Sequence, residues 1–144
     1  MALADYQPKR VVVEIRKGLD FQVRGLSFED ISTLMGNFAV DLDKLIDIYA
    51  KVGDTEDMSE MAQYTVSLVR EAPTLVAQII ALASDEPDSV EQARNLTMVT
   101  QINALRSIGQ LTFEEAGGPK KFFESLTGLV KTMAPRRNQT GSRI

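Results

Sequence analysis

The chain has 144 residues, a net charge of −4, and no Cys, His or Trp. A length of this order suits one domain, able to bury about two-thirds of its unfolded surface without disulfides or metals. The missing residue types exclude His-based triads, thiol nucleophiles and ordinary zinc sites, and the acidic balance argues against nucleic acid as a main partner.

Residues 1–9 read as a flexible lead-in without the long apolar core of a signal peptide. In R-V-V-V-E-I-R, residues Val11, Val13 and Ile15 share one face; in L-D-F-Q-V-R, residues Leu19, Phe21 and Val23 do the same. The period of two and the β-branched content predict two strands turning at Lys17-Gly18, a β-hairpin over residues 10–24. A lone hairpin is marginal in water, so its apolar face is expected to pack on a helix or on a partner.

G-L-S-F-E-D-I follows. Ser27 suits an N-cap, Asp30 completes a shortened capping box, and Leu26 and Ile31 fit a hydrophobic staple, so a helix is expected from Phe28 to about Met35. Phe38, Leu42, Leu45, Ile46, Tyr49 and Val52 predict a second helix, with Gly53 as its C-terminal stop. The acids Asp41, Asp43, Asp47, Asp54, Glu56, Asp57 and Glu60 outnumber Lys44 and Lys51 over residues 41–60. That run lacks the alternating ligand loop of a calcium site and reads first as a solvated acidic face, and second as a surface for a basic partner.

Met58, Met61, Ala62, Thr65, Leu68 and Val69 repeat at helical spacing up to Glu71. Pro73 breaks that helix and suits the first position of the next, P-T-L-V-A-Q-I-I-A-L-A-S. Only Gln78 offers a strongly polar side chain there, so this helix is expected at the centre of the fold. At about a dozen residues it is too short to span a bilayer, which needs about 20. D-E-P-D breaks the pattern before a short helical piece around Ser89–Asn95. Thr97 can cap a long helix through Glu115, whose expected inner face is Met98, Val99, Ile102, Leu105, Ile108, Thr112 and Phe113. Gly117-Gly118-Pro119 reads as a tight helix–helix turn. Phe122, Phe123, Leu126, Leu129, Val130 and Met133 form the stripe of a last helix, which Pro135 stops. Residues 135–144 read as a disordered polar tail with Arg136, Arg137 and Arg143 and no acid. The fold class expected is mainly α with a small N-terminal β-hairpin, a single helical domain over residues 10–134 around a buried central helix.

No Gly-rich phosphate loop, nucleophile elbow or metal motif is present, and no cofactor is expected. A carboxylate- or Lys-based enzyme is a residual alternative without a pocket to mark it. Glu114-Glu115 and Lys120-Lys121 each sit at the unfavourable helix end for the macrodipole; they either face each other across the turn or form a recognition corner. Methionines and aromatics first suggest core packing, and second an adaptable groove for a partner helix. The candidate partner-binding residues are Met58, Met61, Phe122, Phe123, Lys120 and Lys121.

The order F-Q-V-R-G-L-S-F-E-D-I, then A-P-T-L-V-A-Q-I-I-A-L-A-S-D-E-P-D, then Q-I-N-A-L-R-S-I-G-Q-L-T-F-E-E-A-G-G-P-K-K-F-F resembles the tail assembly chaperones of long-tailed bacteriophages. These small proteins are encoded just before the tape measure protein. The resemblance covers about residues 10–133 and brings no catalytic residues with it. It implies a non-enzymatic protein of the host cytoplasm that binds the tape measure protein and keeps it soluble before the tail tube polymerises. It further implies, as candidate partners, the tail tube protein, a frameshifted longer form of the chain and other copies of itself. From the acidic net charge and the lack of any stretch of transmembrane length, no nucleic-acid or membrane partner is expected. The alternative from another class is a structural tail or connector component retained in the virion.

Overall fold

The structure, a computed structural model, describes residues 2–40, 42–43 and 58–133, with the side chains of 58–62, 64, 119, 130 and 133 outside that description. After a 3-10 turn at Leu3–Asp5 come strands β1 (Arg10–Arg16) and β2 (Leu19–Arg24), then helices α1 (Phe28–Asn37), α2 (Met58–Glu71), α3 (Pro73–Ala83), α4 (Val90–Arg94), α5 (Met98–Ala116) and α6 (Pro119–Met133). The fold is mostly helical with a two-stranded antiparallel sheet at the N-terminus, as expected. Most of the helix expected over Phe38–Val52, most of the acidic run and the polar tail lie outside the described residues. Of that expected helix residues 38–40 and 42–43 are described: Leu42 is buried, Phe38 half-buried and Val40 73% exposed.

The hairpin turns at Lys17-Gly18 and pairs Val11 with Val23 and Val13 with Phe21. The register slips between Glu14 and Arg16, so Ile15 is the extra residue of a bulge. A bulge bends its strand and re-aims the side chain it carries. The sheet lies against α5, and β2 also touches α3.

At the start of α1 the expected capping box is present: Asp30 N donates to Ser27 Oγ at 3.1 Å and Ser27 N donates to Asp30 Oδ2 at 2.8 Å. The helix runs two residues past the expected end, through Gly36 to Asn37.

Helix α3 holds the centre. Leu75, Val76, Ala77, Ile79, Ile80, Ala81, Leu82 and Ala83 are all buried, and Pro73 occupies its first turn. It touches α1, α2, α4, α5 and β2. Between Thr65–Glu71 and α3 the axis turns by 115° at Ala72-Pro73. Among the described residues no single helix is long and apolar enough to cross a membrane.

Helix α5 is the second core helix, capped by Thr97, whose Oγ1 accepts from Thr100 N at 3.2 Å. Its buried face is rotated from the one expected. Met98 is 50% exposed and Val99 67% exposed, whereas Thr100, Gln101, Ala104, Leu105, Ile108, Leu111 and Thr112 are buried. The physical reason is polar. Gln101 Nε2 donates to the carbonyls of Ala93 and Arg94 at 3.0 and 3.3 Å, which closes the C-terminal end of α4. Thr112 Oγ1 donates to Ile108 O at 2.7 Å and accepts from Leu26 N at 2.9 Å. Buried backbone groups of other elements need these partners, and apolar residues in their place could not supply them. The helix ends at Gly117, whose φ of 89° is a left-handed conformation that suits glycine. The amides of Gly117 and Gly118 both donate to Phe113 O.

Candidate functional site

Arg24, at the end of β2, decides where the hairpin sits. Its Nη1 donates to Asp30 Oδ2 at 2.7 Å and to Gly25 O at 2.9 Å. Its Nη2 donates to Leu82 O at 3.1 Å and to Asp85 Oδ1 at 2.8 Å, and Nε donates to Asp85 Oδ1 at 3.0 Å. Arg10 on β1 reaches the other oxygen of Asp85 at 2.8 Å. One guanidinium fork thus ties the hairpin to the cap of α1 and to the C-terminal end of α3. The paired carboxylates hold the Arg24 guanidinium more firmly protonated than usual. Hydrogen bonds from Arg24, then Arg10, hold the Asp85 carboxyl below its usual range against the opposing effect of partial burial. Next to this fork the chain passes so close to α5 that a Cβ on Gly25 would stand 3.0 Å from Thr112 N.

The hairpin clamped in this way is covered unevenly. Val23 and Val13 are buried, Phe21 and Ile15 are half-buried, and Leu19, on the same face of β2 near the turn, is 42% exposed. Beneath the uncovered end an open groove of about 200 Å³ runs between the hairpin and the helices. Ile15 and Phe21 form its hairpin wall; Ile80, Ala81 and Ser84 come from the end of α3, and Ser89, Gln92, Ala93 and Leu96 from α4 and its flanks. Glu86 is the charged residue on its edge. Among the described residues no buried side-chain nitrogen or oxygen lacks a partner, and no cluster of acidic side chains could hold a metal.

The residues singled out from sequence fall elsewhere. Phe122 and Phe123 meet Phe113 across the α5–α6 turn, with ring centroids 5.1 to 5.8 Å apart. Phe123 is buried in the core and Phe122 half-buried against it. Lys120 and Lys121 are exposed on the first turn of α6. The acids before the turn meet the N-terminal segment: Tyr6 donates to Glu115 Oε1 at 2.7 Å, and Lys9 stands 4.0 Å from Glu114. Met58 and Met61 belong to the first turn of α2, and their side chains lie outside the described residues.

A family model described as pre-tape measure protein matches residues 1–143. The chain belongs to this family. Comparison with curated proteins and with solved structures found no match. The pre-tape measure family acts in phage tail assembly and is a structural and assembly family not known as enzymatic. What the geometry offers a member of such a family is a shaped apolar recess on a clamped frame. The sequence carries no local signal for that recess, because it arises where the tip of one element overhangs the ends of two others. Only the half-polar strand L-D-F-Q-V-R, with more apolar face than one helix can cover, hints at it.

Proposed function

We propose that this protein is a tail assembly chaperone, acting in the host cytoplasm, which binds the tape measure protein and keeps it soluble until the tail tube polymerises around it. Membership of the pre-tape measure family over residues 1–143 carries this reading. The uncovered end of the hairpin face and the groove beneath it support it, since a holding protein must present apolar surface to its client. The net charge of −4 keeps such a surface compatible with solubility. The tail tube protein and a frameshifted longer form of the chain are further partners in this reading.

Co-expression tests it. The tape measure protein should move from the pellet to the supernatant when this chain is present, and the two should co-purify. Binding measured by calorimetry should show a negative heat-capacity change and only modest weakening by salt. A tape measure protein that stays insoluble, together with this chain at fixed copy number in purified particles, overturns the reading in favour of a structural tail component.

A further inference from the structure

We infer that the free edge of β1 pairs with the same edge of a second copy of this chain, antiparallel and about a two-fold axis through Val12, so that two hairpins form one four-stranded sheet. The inference stands apart from the tape measure reading and does not need it. A sheet of two strands has two open edges, and an open edge is a template for pairing. The two edges are not equivalent. β2 touches α3, and Arg24 at its end is spent on Asp30 and Asp85. Along β1, no backbone group bonds to any described segment other than β2.

The residues of β1 select the partner and the register. Directly opposed residues point to the same side of a sheet, so in a symmetric antiparallel pair the axis passes between two copies of one residue. The stretch Arg10–Glu14 precedes the bulge and reads R-V-V-V-E. With the axis at Val12, Arg10 of each copy stands opposite Glu14 of the other, Val11 opposite Val13, and Val12 opposite itself. Val12 is 56% exposed on the outer face, and its counterpart covers it. Glu14 faces Asp20 across its own hairpin, a like-charge pair that costs stability. Among the described residues neither acid joins an ion pair. Arg10 of the second copy supplies the missing cation: one of its nitrogens stands 2.8 Å from Asp85, and a guanidinium carries several further N–H donors. Other registers are worse. An axis at Val11 sets Glu14 opposite Pro8, which has no N–H for a ladder. An axis at Val13 sets Arg10 opposite Arg16, like against like. The remaining cations lie off the contact. Arg16 and Lys17 are exposed beyond the bulge, with Arg16 opposite Leu19 on the Phe21 face. Lys9, 71% exposed, stands beside Glu114. Pro8 and the bulge end the pairing on either side, and the two-fold closes it as a dimer.

The chain has no cysteine, so a single introduced one reports on proximity. Val12→Cys places its two copies with Cα atoms roughly 4.5–5.5 Å apart across the axis, within reach of a disulfide. Mild oxidation of this full-length variant should give a covalent dimer. Gln22→Cys, opposite Val12 on β2, should not, because its copies stand three strand spacings apart, about 14 Å. Sedimentation of the wild type over a concentration series should show a reversible monomer–dimer equilibrium. Glu14→Arg should weaken it at least about tenfold, since the repulsion acts twice across the axis. Glu14 is exposed and an arginine there gains Asp20 as a partner, so circular dichroism should show unchanged folding. A wild type that stays monomeric at every concentration, undiminished dimerisation of folded Glu14→Arg, or equal cross-linking of Val12→Cys and Gln22→Cys overturns the inference. So does a dimer that Val12→Cys fails to cross-link, which would assign the contact to another surface.

Discussion

Replacing Arg24 by Met keeps the aliphatic stem and removes the fork that joins three elements. The Arg24 and Asp30 side chains are only 14% and 7% exposed, so the change strands a buried carboxylate. Removing one partner of a buried pair costs about 3–5 kcal/mol. Asp30 is not abandoned, because Ser27 N still donates to it at 2.8 Å and it stands in the first turn of α1, where a negative charge gains about 0.3–1 kcal/mol from the helix dipole. The expected loss is therefore about 2–4 kcal/mol. Asp85, at 45% side-chain exposure, should matter less: Asp85→Asn should cost under about 1 kcal/mol. Urea unfolding followed by circular dichroism measures each. A cycle with Asp30→Asn, which keeps an oxygen for the cap, isolates the pair, and the double variant should be more stable than the two single losses predict by at least about 1 kcal/mol. An Arg24→Met loss no larger than that of Asp85→Asn, or strict additivity in the cycle, would show that the hairpin is held by apolar packing and not by the fork.

Ile79→Asp puts an unpaired charge into the buried face of α3 and should cost several kcal/mol; a soluble variant with unchanged melting temperature would deny α3 its central place. Gly25→Ala drives a Cβ to 3.0 Å from the backbone of Thr112, which cannot swing aside as a side chain could, so about 1–3 kcal/mol should be lost; calorimetry showing no change would mean that the β2–α1 connection yields freely. In acid, the depressed Asp85 pKa makes the folded state bind fewer protons than the unfolded one around and below the ordinary value of 3.8. Its contribution is thus present above that value and fades as pH falls through the folded pKa. Asp85→Asn should flatten this part of the stability curve, and parallel curves for wild type and variant would count against the ion pair.

Local chemistry made much of this architecture legible. Ser27 and Asp30 act within three residues of each other, the apolar run of α3 declares its own burial, and Gly117-Gly118-Pro119 fixes a turn by backbone conformation alone. What escaped depends on distance along the chain. Arg24 looked like the last polar residue of an alternating strand, since Asp85 is 61 positions away. Gln101 and Thr112 are buried because Ala93, Arg94 and Leu26 need partners, and that need is created only by packing. Counting apolar residues on α5 consequently placed Met98 and Val99 inside when they are outside. The candidate site was less legible still. Phe122 and Phe123 could be read as aromatic and adjacent, but not as flanking Phe113. The groove is a property of relative placement, so no single segment encodes it.

The 115° turn at Ala72-Pro73 also bears on biosynthesis. Thr65–Ala83 passes, by length and composition, for a broken membrane span. As one straight helix it would be about 28 Å long, close to the roughly 30 Å of a bilayer's hydrocarbon core. While the ribosome is still making α5, the helix that later covers α3, this segment has already been synthesised and its partner has not. Pro73, exposed and contributing nothing to the core, divides it into two pieces that are each too short to span. Bent at that point, the two apolar pieces meet each other, and Val76 and Ile80 are buried within the fold.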